Sequence, residues 1–130
     1  MKKIFGRWRD FAEMINDWYE YSAEDGTERV PLDKQPTEEE LLFASYGGGS
    51  YEGDAFVLFR KDGKLYEVNG SHSSCYGLEG QWNAEETSIA ALAAKGKKEG
   101  NSSYYFLSDH DGDSYIAYWN LMEELAKAEV

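Results

Sequence analysis

The feature that most constrains this chain is Lys61-Asp62-Gly63, set between two apolar-rich runs, Ala55 to Arg60 and Lys64 to Asn69. Asp-Gly between β-prone runs suits the positive-φ pair of a two-residue turn, so the spacing predicts a β-hairpin. Phe56 and Leu58 share one face of its first strand, while Ala55, Val57 and Phe59 share the other. With both faces apolar, that strand is expected to be central or covered on both sides. Leu65, Tyr66 and Val68 supply the second strand, and Glu67 marks its more solvent-facing side. That strand runs into a loop holding Gly70, His72, Cys75, Tyr76, Gly77, Gly80 and Trp82.

Around the hairpin, Trp8, Phe11, Ala12, Ile15, Trp18 and Tyr19 recur at three- and four-residue spacing, which predicts an amphipathic helix from Arg7 to about Tyr21. Its other face carries Asp10, Glu13, Asp17 and Glu20. Ser22 to Pro36 reads as a loop with a short extended piece at Arg29 to Leu32. Thr37 followed by Glu38, Glu39 and Glu40 matches a capping box around a single turn. A strand is expected from Leu41 to Tyr46, ended by Gly47-Gly48-Gly49-Ser50. After Trp82, Asn83 with Glu86 at the third helical position predicts a helix from Asn83 to Lys95, closed by Gly96 and flanked by Lys95, Lys97 and Lys98. Ser103 to Ser108 reads as a further strand, and Tyr115, Tyr118, Trp119, Met122 and Leu125 define a last helix, Ser114 to Ala128.

The chain has 130 residues, 25 acids and 13 bases, for a net charge of −12. That length implies one domain able to bury a core without staples. The charge is unevenly placed. Met1 to Arg9 holds four bases and no acid, whereas Asp10 to Asp54 holds thirteen acids against Arg29 and Lys34 and nets −11. A field of that sign repels phosphates, so direct nucleic-acid binding is not expected, and a basic partner surface is attracted instead. A single cysteine and the lack of an apolar run behind Lys2, Lys3, Arg7 and Arg9 point to a cytoplasmic protein, and no run reaches the length of a membrane span.

Three stretches invite chemical readings. The Gly47 to Gly49 run lacks GK[ST] and a following helix, and Glu52 and Asp54 would repel a phosphate, so it reads as a strand connection. Asp109, Asp111 and Asp113 alternate as in a hard-cation loop, but the sixth and twelfth positions hold Ser114 and Asn120 where an EF-hand needs glycine and glutamate. A turn in which Asp113 caps the last helix accounts for the pattern, and no metal or cofactor is expected. His72 and Cys75 could pair as base and thiolate, oriented by Asn69 and flanked by Tyr76 and Trp82, which would make a small-ligand or catalytic site. Three residues apart in a glycine- and serine-rich loop, they need not face each other.

The stretch SYEGDAFVLFRKDGKLYEVNGSHSSCYGLEGQWNAEETSIAAL resembles a segment of small uncharacterised proteins encoded by bacteriophages and prophages. The similarity spans roughly Phe43 to Leu92, and Lys64 to Trp82 is its distinctive part. That pattern carries a second cysteine where this chain has Ser73, which weakens a two-thiol metal or redox site here. The resemblance implies a phage context, in which small acidic proteins act against host defences, as anti-CRISPR and anti-restriction proteins do.

These readings converge on a single α+β domain with an antiparallel sheet of three or four strands and about three helices. The expected function is non-enzymatic: an interaction protein of the bacterial host cytoplasm, blocking a basic surface on a host nucleic-acid-handling complex. Asp10, Glu13, Asp17, Glu20, Glu38, Glu39 and Glu40 are the expected docking acids. The alternatives are a small-ligand protein or enzyme using Asn69, His72, Cys75, Tyr76 and Trp82, and a virion or assembly component, for which homo-oligomerisation is the clue.

Overall fold

The computed structural model describes residues 3–6, 8–22, 26–29, 35–47, 53–72, 82, 84–92 and 113–128. The hairpin forms where its turn predicts it. β5 (Gly53–Lys61) and β6 (Lys64–His72) pair in register from Lys61↔Lys64 to Gly53↔His72. Asp62 and Gly63 adopt φ of 53° and 80°, the positive pair that a two-residue turn matched to strand twist requires.

β5 is the middle strand of a five-stranded sheet. β4 (Leu41–Gly47) pairs antiparallel on one side, and β1 (Ile4–Gly6) joins parallel outside β4; on the other side, β7 (Glu85–Thr87) lies antiparallel outside β6. The sheet is thus mixed and larger than the expected antiparallel three or four strands. The three residues of β1 are too few for an alternation pattern to register, and their place is set by pairing with β4, where Lys3 C=O accepts from Ala44 N–H at 2.8 Å.

The expected helix from Arg7 to Tyr21 shortens to α1 (Phe11–Asn16). Asp10 caps it, accepting from Glu13 N–H at 2.9 Å. The helix closes on i→i−3 bonds, Asp17 N–H to Met14 O and Trp18 N–H to Ile15 O. The aromatic run beyond it then extends as β2 (Tyr19–Ser22), which pairs antiparallel with β3 (Gly26–Arg29) where a loop was expected. Ala12, assigned to the apolar stripe, is exposed, and Met14 is fully buried instead.

The helix expected at Asn83 starts later. Glu85 to Thr87 are drawn into β7 by pairing with β6, and Ser88 becomes the cap of α2, described over residues 89–92. Its Oγ accepts from Ala91 N–H at 3.1 Å, and its carbonyl from Leu92 N–H at 2.9 Å. α3 (Asp113–Ala128) matches the last predicted helix, with Asp113 its first residue and not the residue before it. Asn83, Gly96 and the strand expected at Ser103 to Ser108 lie outside the described residues.

Each face of the sheet carries its own core. Trp8, Met14, Trp18, Leu41, Ala44, Ala55, Val57, Phe59, Val68 and Trp82 pack on the α1 face. Phe5, Phe43, Phe56, Leu58, Leu65, Leu92, Tyr118, Met122 and Leu125 pack on the face covered by α2 and α3. The alternation of β5 between these clusters is the one read from its sequence. In β4 the register shifts between Leu41 and Phe43. One extra residue there lets Leu41 and Phe43, two apart, enter opposite cores.

Candidate functional site

The acids expected to dock a partner fall into two groups. On and around α1, Asp10, Glu13 and Asp17 serve the fold. Asp10 is the helix cap. Glu13 accepts from Arg9 N–H at 2.7 Å and pairs with the Arg9 guanidinium at 2.8 Å. That guanidinium, with the backbone hydrogen bond, holds the Glu13 carboxyl below the usual carboxylate range, and Glu13 in turn raises Arg9. Asp17 accepts from the indole N–H of Trp8 at 2.7 Å. It thereby satisfies a donor on a side chain that is only 3% exposed. Glu20 lies in β2, opposite Glu28 in register.

The second group sits on the turn before β4. Thr37 Oγ1 accepts from Glu40 N–H at 3.2 Å and Glu40 Oε1 accepts from Thr37 N–H at 2.9 Å, the reciprocal pair of a capping box. The hydrogen bond from the Thr37 amide, helped by Lys61, holds the Glu40 carboxyl below the usual range against the opposing effect of partial burial. Lys61 Nζ lies 3.6 Å from Glu40 Oε1 and donates to the Gln35 carbonyl at 3.3 Å. Glu38 and Glu39, between these tie points, are exposed and hydrogen-bonded to no other described side chain.

Sequence reading missed Lys61 as the partner of this turn. The signal was indirect: Lys61 ends β5, and Leu41↔Phe59 pairing brings that end to Glu40, as the Arg60 N–H to Glu40 C=O bond of 3.0 Å records. Glu85 and Glu86, read as first-turn helix acids, stand exposed on β7 instead, with Glu86 3.6 Å from Lys64.

Of the alternative loop set, Asn69 and Trp82 lie on opposite faces of the sheet. Asn69 pairs with Phe56 in register, is exposed, and donates to Glu67 at 2.8 Å. Trp82 is buried on the α1 face, stacked on Trp18 at 4.6 Å and 6.2 Å from Trp8. His72 ends β6 opposite Gly53. Cys75 and Tyr76 lie outside the described residues, as do Asp109 and Asp111.

Among the described residues, no group of three or more His, Cys, Asp and Glu side chains could hold a metal ion, and no helix is long and apolar enough to cross a membrane. No protein-family model, curated protein or solved structure matches the chain.

Proposed function

We propose that this chain is a small acidic interaction protein that docks on a basic, nucleic-acid-binding surface of a partner, as a phage-encoded inhibitor of a host defence complex would. The observation that carries the reading is the turn at Glu38 and Glu39: both residues are exposed, while the hydrogen bonds that close it are made by Thr37, Glu40 and the Leu41 amide. Two carboxylates on a fixed turn lose little conformational freedom when a partner's Lys or Arg approaches, and a net charge of −12 steers such a partner in. The α1 acids contribute to that field, but Asp10, Glu13 and Asp17 are committed to the cap, to Arg9 and to Trp8.

The test is affinity capture from host lysate at low and high salt with the native chain, Glu38→Lys/Glu39→Lys and Cys75→Ala. The reading expects one nucleic-acid-handling complex to be retained at low salt by the native chain and by Cys75→Ala. It also expects that complex to be lost at high salt and lost to the double reversal. Retention by the double reversal, with loss in Cys75→Ala, would move the function to the loop after β6.

A further inference from the structure

We propose that Glu40 is a positioning residue, whose carboxylate and backbone tie the turn carrying Glu38 and Glu39 onto the end of the β-hairpin; its functional meaning rests on the docking reading above. Sequence reading placed Glu40 among the docking acids, yet its contacts are made inside the molecule. Its Oε1 accepts from Thr37 N–H at 2.9 Å and lies 3.6 Å from Lys61 Nζ. Its N–H donates to Thr37 Oγ1, and its carbonyl accepts from Arg60 N–H at 3.0 Å. Lys61 extends the tie backwards through the Gln35 carbonyl at 3.3 Å. Gln35 and Pro36 are buried, so the segment is seated at its start, closed by the box, and joined to β5 at its end. Glu38 and Glu39 are left as the exposed residues between fixed points.

Two substitutions of equal charge separate positioning from charge alone. In Glu40→Gln the side-chain carbonyl still accepts from Thr37 N–H, whereas Glu40→Ala has no acceptor. Amide hydrogen exchange is read at Thr37, and NMR shifts of the Glu38 and Glu39 amides are followed on addition of an octalysine peptide. Unchanged protection along β5 and β6 shows that the fold is intact. Glu40→Ala is expected to speed Thr37 exchange about fivefold relative to Glu40→Gln, the size of a typical lost cap. It is also expected to reduce the peptide response at Glu38 and Glu39. Equal exchange and equal peptide response in the two variants would overturn the assignment. Octalysine leaving Glu38 and Glu39 unshifted in the native chain would count against the docking reading, while the exchange comparison would still decide the role of Glu40.

Discussion

Asp17 stands at the C-terminal end of α1, where the helix dipole disfavours a carboxylate. Its bond to Trp8 explains why an acid is tolerated there, and predicts an asymmetry between two substitutions. Asp17→Ala leaves a buried indole donor unpaired and should cost about 1–3 kcal/mol, whereas Asp17→Asn keeps an acceptor and removes the misplaced charge, so it should cost less. Urea unfolding of both variants measures the difference; equal losses would contradict the role given to the Trp8 bond. Protonation gives a second residue-scale expectation. Glu40 is held below the usual carboxylate range by the Thr37 amide and Lys61. Its contribution is therefore present above the unfolded glutamate pKa of about 4.3 and lost as pH falls through the lower folded value. The Thr37 amide shift, followed by NMR from pH 6 to about 2.5, should titrate below that unfolded value, and a midpoint above it would contradict the assignment. Tyr118 responds to the opposite side of neutrality. Burial, with a smaller effect from Glu67, raises its phenol, which donates to Leu92 C=O at 2.6 Å and joins α3 to α2. Its contribution is complete below the unfolded tyrosine pKa of about 10 and declines as pH rises beyond it.

At the scale of elements, the hairpin is the most legible part of the chain because turn chemistry and strand patterning agree. Gly63 has φ of 80° with open space around the position of a side chain. Gly63→Ala should therefore cost about 1 kcal/mol through backbone conformation alone, read as a shift in the denaturation midpoint without a change in m-value. Thr37 to Glu40 was legible for the same reason: a capping box is written in four consecutive residues. The helices were over-extended from sequence where pairing competes with local propensity. Tyr19 to Ser22 continue the apolar pattern of α1, yet find β3 as a partner; Glu85 to Thr87 read as a first turn, yet complete the edge beside β6. Asp17 shows the same limit within the site. Its partner Trp8 is nine residues away and outside the helix, so no helical spacing exposes the bond. Glu38 and Glu39 could be named from sequence, and the capping box already set Glu40 apart from them; what sequence did not show is the contact of Glu40 with Lys61, which only the β4–β5 register creates.

At the scale of the molecule, β5 is where two cores meet: Val57 and Phe59 belong to one, Phe56 and Leu58 to the other. Phe56 is fully buried against Phe43 and Tyr118, at ring separations of 6.1 Å each, so Phe56→Ala should destabilise by about 3–5 kcal/mol. Such rigidity bears on the proposed function, since a sheet packed on both faces holds its connecting turns in place, and the Glu38–Glu39 turn enters β4 directly. In the docking proposed above, those two carboxylates make the contact with a basic partner. Its most direct measurement is the dissociation constant for the captured partner as a function of salt, for the native chain and for Glu38→Gln/Glu39→Gln. Weaker binding of the variant at low salt and a shallower dependence of log Kd on log salt are expected, because two screened contacts are gone. An unchanged affinity and an unchanged salt slope would contradict the proposed docking.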